Sequence, residues 1–352
     1  MDIRFNQIEK MRLRAVVKDT LDNNELAQAK KLFEQTRFSA FLQHPEYDKV
    51  IGKNALHILF FDEFASLKGY ALVEPKKKLL ATIPFGPLCA DENLFSTLVA
   101  SCFKSLFEYG FKVIRFQPPF IQSSIWQKTS EDLQKRFSIF SLSNQLNWST
   151  LVLDISPEEE ILLKSFSENH RRSLRKAKNE GLVVEQVSDI QEMNEFAEGL
   201  CKMYTARNIP NDLEIEKERL KNLFSFAVGK GNGLILVIKK EVKILGGIIL
   251  IRHGNKIFYL IGFSDPDYKK IPVNHLLFCK SFEIAREEGC NYFDFGGYGR
   301  EGFADSQVQN INRFKDGFKG KRVDYPDTIF IAKNSFYQLV YKSYMKWIRK
   351  KK

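Results

Sequence analysis

The chain carries an internal repeat, and the repeat limits the fold. Residues 56–61, 67–74 and 79–85 are short apolar runs separated by polar turns, the pattern of strands. A helix is predicted over 93–109, with Leu94, Leu98, Cys102 and Leu106 at helical spacing and Gly110 closing it. A strand follows at 111–116. The same order returns at 234–238, 244–251 and 257–263, then a helix over 273–288 closed by Gly289 and a strand at 291–295. Leu67 with Ile244, Leu79 with Ile257, Gly110 with Gly289 and Phe116 with Phe295 are all separated by about 180 positions. A β-β-β-α-β order at near-constant offset predicts two copies of one α+β (or α/β) domain, each a mixed sheet flanked by helices. The expected domains are 1–150 and 151–320, with a tail from about 321 to 352 packing back on the first. The chain's 352 residues suit two domains.

Helices are also predicted at 24–36, 158–167, 169–180, 189–204 and 213–228. Ile190, Met193, Phe196, Ala197, Leu200 and Met203 form one stripe of the fourth, a core face. The densest cluster of polar and glycine residues lies at 292–320. Tyr292, Phe293 and Phe295 suit a buried strand. Gly296, Gly297, Gly299 and Gly302 then predict a glycine-rich loop, and 307–316 a helix stopped by Gly317 and Gly320. Asp294, Tyr298, Arg300, Glu301, Arg313 and Lys315 crowd the same segment, as polar groups do around a site. The glycines fit neither G-x-G-x-x-G nor a P-loop, so neither nucleotide motif applies.

A net charge of +11 favours anionic partners: nucleic acid, phosphorylated substrates or an anionic membrane. Arg171, Arg172, Arg175, Lys176 and Lys178 crowd one helix, either a solvated face or a surface for tRNA phosphates. The five cysteines include no C-x-x-C pair, and an odd number cannot form a complete disulfide framework. The first residues, MDIRFNQIEKMRLR, lack an apolar signal core, and no apolar run is long enough to span a bilayer. A cytoplasmic location is expected. No His/Cys/Asp cluster has metal spacing, and no catalytic dyad is evident.

Helices first, then a hairpin sheet, a helix and a strand is the order of GNAT acyltransferases. Five segments resemble the Fem family of peptidoglycan-bridge aminoacyltransferases, which have two GNAT-like domains. Phe41-Leu42-Gln43-His44-Pro45 is similar to that family's Phe-Leu-Gln-Ser-Pro, and Pro84-Phe85-Gly86-Pro87-Leu88 to its Pro-Arg-Gly-Pro-Val. The 169–181 stretch is similar to its Arg-x-x-Ile-Arg-Lys-Ala-x-x-x-Gly helix. Residues 292–297 and 313–320 resemble its Tyr-Asp-Phe-Gly-Gly and Arg-Phe-Lys-x-Gly-Phe-Gly-Gly, with Lys319 in place of a glycine. The family's long coiled-coil arm does not fit between Met203 and Leu234.

The resemblance implies aminoacyl transfer from aminoacyl-tRNA to an amine of a nucleotide- or lipid-linked cell-envelope precursor, with no tightly bound cofactor. It gives Lys315 the role of a cation near the reacting carbonyl or a phosphate. Arg207, closing the 189–204 helix, would hold the acceptor's diphosphate, or simply complement the helix dipole. Tyr259 would bond the acceptor, or be an amphipathic core tyrosine. Asp294 would act as base, orient Lys315, or cap the glycine loop. Tyr298, Arg300, Gly296 and Gly297 complete the expected substrate site. Alternatives are an N-acyltransferase using acyl-CoA or an acyl carrier protein on a sugar amine, and a non-catalytic basic module that binds tRNA or glycan. Coenzyme A-binding GNAT proteins carry glycines after the third strand, and Ser264 to Asn274 has none. The aromatic and basic residues of 335–352 predict an amphipathic helix that packs on the first domain or lies on an anionic membrane at its inner face.

Overall fold

The computed structural model describes residues 13–52, 54–76, 79–119, 123–142, 148–241, 243–299 and 306–350. It divides into two compact units, one formed by 1–147 with 325–352 and one by 148–324. The chain begins with β1 (Arg14–Lys18) and α1 (Asn23–Gln35). Asp22 and Glu25 cap α1 reciprocally, each side chain accepting from the other residue's backbone N–H. Then come β2 (Leu56–Phe61), β3 (Leu67–Lys76), β4 (Leu80–Pro84), β5 (Leu88–Cys89), α2 (Phe95–Tyr109), β6 (Val113–Gln117), α3 (Ser123–Arg136) and β7 (Ser138–Phe140).

The second unit starts with β8 (Trp148–Asp154), α4 (Glu159–Ser165), α5 (Glu168–Asn179), β9 (Val183–Gln186), α6 (Ile190–Ala206) and α7 (Leu213–Phe224). It continues with β10 (Gly233–Lys240), β11 (Lys243–His253), β12 (Lys256–Ser264), α8 (Val273–Glu287), β13 (Tyr292–Gly299), α9 (Ser306–Asp316) and β14 (Lys321–Asp324). The chain then returns to the first unit as β15 (Ile329–Ala332) and α10 (Ser335–Lys350).

Both sheets follow one plan. The first runs β1-β2-β3-β4-β6-β15-β7, with β5 also on β3; the second runs β14-β8-β13-β12-β11-β10-β9. Among the described residues each contains one parallel pair, β4 with β6 and β12 with β13, joined by a crossover helix. Those helices are α2 and α8, and the glycines just past them, Gly110 and Gly289, have left-handed φ of 126° and 81°. The tail joins the first sheet through β15, which pairs with β6 and β7.

Each unit has its own core. In the first, Phe60, Phe95, Phe103 and Phe116 are fully buried; in the second, Phe278, Phe282, Phe293, Phe295 and Phe318 pack ring on ring. The Fem-like segments of the first unit meet in its interior. Gln43 is completely buried and donates to the Pro84 carbonyl (2.7 Å) and Leu72 carbonyl (2.9 Å), while accepting from Leu72 N–H (2.9 Å). A Cβ on Gly86 would sit 2.6 Å from the Gln43 side chain. That contact requires a glycine there.

Two sequence expectations need correcting. The helix expected over 213–228 stops at Phe224, and Ser225–Gly229 winds into a π-turn. The loop expected to start at Gly296 is still strand, because β13 runs to Gly299 and pairs with β8 on its far side. Arg300, Glu301 and Gly302 lie outside the described residues.

Candidate active site

The parallel pairs of the two units differ at one point. In the first, pairing covers all of β4, from Leu80 opposite Val113 to Pro84 opposite Gln117. In the second it covers only Lys256, Ile257 and Phe258 opposite Tyr292, Phe293 and Asp294, although β12 continues to Ser264 and β13 to Gly299. Where pairing stops, both strands bulge. The ladder from β11 to β12 skips Leu260, and the one from β13 to β8 shifts between Asp294 and Gly297. Bulges free backbone groups from the ladder and re-aim side chains, and they occur beside active sites. Gly296 makes the bulge possible: its φ is +65°, and a Cβ there would lie 2.8 Å from the Tyr259 carbonyl.

Lys315 and Asp294 meet at this bulge. Lys315, from the last turn of α9, is only 5% exposed and donates to the carbonyls of Gly297 (2.5 Å) and Gly296 (3.3 Å). Burial pulls its ammonium down to about 8, with the Asp294 carboxylate opposing the shift. Asp294 is also buried, and burial raises its carboxyl above the usual range. Opposing that rise, it accepts from the Thr150 hydroxyl and from Gly296 N–H (2.8 Å), with Lys256 and Lys315 nearby. Two buried groups of opposite sign therefore hold one glycine bulge. Thr150 was missed by sequence reasoning; the signal was the short apolar and β-branched Thr150-Leu151-Val152-Leu153 run of β8, a strand that was overlooked.

The remaining expected residues spread around this point. Tyr259 is half-buried, its ring 5.0 Å from Phe278, and burial pushes its hydroxyl up to about 12. The Arg207 guanidinium opposes that shift and Tyr204 adds to it, which puts all three within electrostatic reach. Arg207 is exposed at the C-cap of α6. Tyr298 donates to Asp316 (2.9 Å) and lies beneath the Arg322 guanidinium. It faces the α9 side of β13. Arg313 is exposed.

The basic helix α5 is tied to the helix that carries Lys315. His170 is buried, its Nε2 2.8 Å from the Phe314 carbonyl, and burial lowers its pKa. A Cβ on Gly317 would overlap the His170 ring at 2.0 Å, and Ser167 N–H donates to the Gly317 carbonyl (2.8 Å). Arg171, Arg172, Arg175 and Lys176 point outward from α5. Arg171 donates to the Lys164 carbonyl (2.9 Å), Arg172 to Asn169 (3.2 Å) and Lys176 to the Lys270 carbonyl (2.8 Å). Lys164, Arg171, Arg175 and Lys178, with Glu160 and Glu168, line a groove of about 470 Å³ between α4 and α5.

The turn after β12 is acidic. Asp265 is buried and pairs with Lys202 (2.7 Å) and Lys243 (3.0 Å), and Asp267 also pairs with Lys202 (2.5 Å). Despite its burial, these lysines and the Asp267 N–H hold the Asp265 carboxyl down at about 2. The following helix, α8, starts after Pro272 with no side-chain cap. Among the described residues, no group of three or more His, Cys, Asp or Glu is placed to hold a metal, and no helix is long and apolar enough to cross a membrane.

An acetyltransferase (GNAT) domain model matches residues 164–308. A lipid II:glycine glycyltransferase of Staphylococcus epidermidis is 37% identical over 71 residues, which is 20% of this chain and 17% of that protein. The matched stretch is thus a small part of the relative's length. The crystal structure of FemX superposes with a TM-score of 0.71 at 17% identity, covering 92% of this chain and 99% of the other. A tandem GNAT protein from the clavulanic acid pathway superposes with a TM-score of 0.55 at 9% identity, covering 91% and 98%. The fold is two GNAT-like domains in tandem, and with the local sequence likeness it bears out the resemblance of this chain to the Fem family.

Proposed function

We propose that this protein transfers an acyl group to an amine, and specifically an aminoacyl group from aminoacyl-tRNA to the amine of a peptidoglycan or other cell-envelope precursor, nucleotide- or lipid-linked. The observation that carries this reading is the buried Lys315 at the bulge where β12 and β13 part. In the reaction the neutral amine attacks the ester carbonyl. A C–N bond forms, the C–O ester bond breaks, and the amine's proton passes to the departing ribose hydroxyl oxygen. The tetrahedral oxyanion needs preorganised donors. The Lys315 ammonium at the bulge supplies one. Asp294, already engaged by Thr150 and Gly296, positions the bulge and does not need to take a proton. Tyr259 and Arg207 face the acceptor, Arg207 through the bidentate fork that suits a phosphate. The outward cations of α5 meet tRNA phosphates, which adds affinity without sequence readout.

The acyl-CoA alternative is disfavoured by the turn after β12. A pyrophosphate there needs a nest of backbone N–H groups, and Asp265 and Asp267 instead present negative charge already matched to Lys202 and Lys243. Work on a lipid-linked acceptor would bring the protein to the inner face of the cytoplasmic membrane as a peripheral visitor. The test is Lys315→Ala in a transfer assay with charged tRNA. Turnover falls by about 10²-fold or more with folding intact if Lys315 stabilises the transition state; wild-type turnover removes Lys315 from the mechanism.

A further inference from the structure

The last helix buries one side and leaves a second apolar side facing outward. Tyr337, Tyr341, Tyr344 and Met345 of α10 turn inward and, with Leu80 and Val113, line an apolar groove of about 680 Å³ whose walls include Lys76 and Lys112. About a third of a turn round the same helix, Phe336, Leu339 and Trp347 are 66%, 66% and 53% exposed, and Val340, which also lines the edge of the groove, is 46% exposed. Their spacing of three, four and eleven residues puts them on one stripe. Four large apolar groups in one exposed line exceed the single surface hydrophobics of an ordinary soluble protein. Lys346 is exposed and borders the stripe on the side away from the groove; Lys342, on the same side, sets its ammonium over the Phe140 ring, 5.3 Å from the centroid. The helix has no acidic residue and ends on Arg349 and Lys350, with Lys351 and Lys352 next in the sequence.

An apolar stripe edged by lysines and bare of carboxylates complements a surface with an apolar interior and anionic headgroups. We propose that α10 and the groove beside it dock the first unit onto a lipid surface carrying anionic headgroups. Phe336, Leu339, Val340 and Trp347 enter the interface, Lys346 reaches up to the lipid phosphates along its aliphatic stem, and Lys342 joins it by leaving the Phe140 ring. The groove between α10 and β4 and β6 is wide enough to take part of an acyl chain. Trp347 sits where an aromatic ring favours the boundary between headgroup and chain.

The test is flotation with vesicles of phosphatidylglycerol and phosphatidylcholine in equal parts, against vesicles of phosphatidylcholine alone. These vesicles contain neither acyl donor nor amine acceptor, so the result is independent of the transfer reading. The intact chain is expected to bind only the anionic vesicles, and less as salt rises. Phe336→Ser/Leu339→Ser/Trp347→Ser is expected to weaken binding about tenfold or more, with circular dichroism unchanged because all three side chains are exposed. Lys342→Glu/Lys346→Glu is expected to do the same and to flatten the salt dependence. Undiminished binding by the serine variant would mean that net charge alone attracts the protein, and would overturn the proposal. So would equal binding to neutral vesicles, no binding at all, or a dimer in solution that the serine variant dissolves, which would assign the stripe to a second copy of the chain.

Discussion

Replacing Lys315 with methionine separates what its charge costs the fold from what the residue does in the site. Lys315 is 5% exposed, and burial takes its pKa from 10.5 to about 8. A shift of that size corresponds to roughly 3 kcal/mol between the charged and neutral forms. The sign follows from proton binding. Between about 8 and 10.5 the unfolded chain holds this proton more tightly than the folded one, so stability rises with pH through that window. Below about 8 the whole penalty is present; above 10.5 it is gone. Lys315→Met removes the titration. It also leaves the Gly296 and Gly297 carbonyls without their donor, at about 1–3 kcal/mol each, but that loss does not vary with pH. The useful quantity is therefore the change with pH of the stability difference between the two proteins. Urea unfolding at pH 7 and pH 10 measures it. Wild type is expected to gain roughly 2–3 kcal/mol on the variant between those pH values. Parallel stabilities at both would refute a buried lysine with a depressed pKa.

Other outcomes follow from the same geometry. Gln43→Ala leaves three buried backbone groups without a partner and is expected to lower stability by about 2–4 kcal/mol, measured by chemical denaturation. Asp294→Asn keeps an acceptor for Thr150 and Gly296 N–H, so kcat is expected to stay within about tenfold of wild type; a loss near 10³-fold would make Asp294 the general base. Arg171→Glu/Arg172→Glu/Arg175→Glu is expected to weaken tRNA binding and flatten its salt dependence in a filter-binding titration. Unchanged binding would make the outer face of α5 a solvated surface.

Much of the fold was legible because its signals are local. The strands of each repeat are short apolar runs, and Gly110 and Gly289 mark where the crossover helices stop. The tandem GNAT architecture followed from their order. Features set by long-range pairing were not legible. Nothing near Trp148 to Asp154 says that this strand lies between β13 and β14, so the Thr150 contact with Asp294 could not be foreseen. The glycines of 296–299 read as a loop because glycine density is the local signal; the pairing with β8 that keeps them in a strand comes from residues about 145 positions away. Lys315 could be named from its motif, but its burial depends on Gly296 and Gly297 bending toward it. The sequence also made α10 one amphipathic helix, whereas packing against β15, β6 and β7 splits its apolar residues between an inner and an outer side. The Gln43 and Gly317 contacts give physical reasons for motif positions that looked like mere family spelling.

The central claim is that the bulge around Gly296 is a site of acyl transfer from aminoacyl-tRNA to an amine. The most direct measurement is mass spectrometry of a panel of cell-envelope precursors after incubation with the purified protein and either charged tRNA or acyl-CoA. One precursor is expected to gain the mass of an amino acid with charged tRNA only, and Lys315→Ala is expected to lose the gain. An acyl gain that requires coenzyme A thioester, or stoichiometric tRNA binding with no product from any precursor, would contradict the claim.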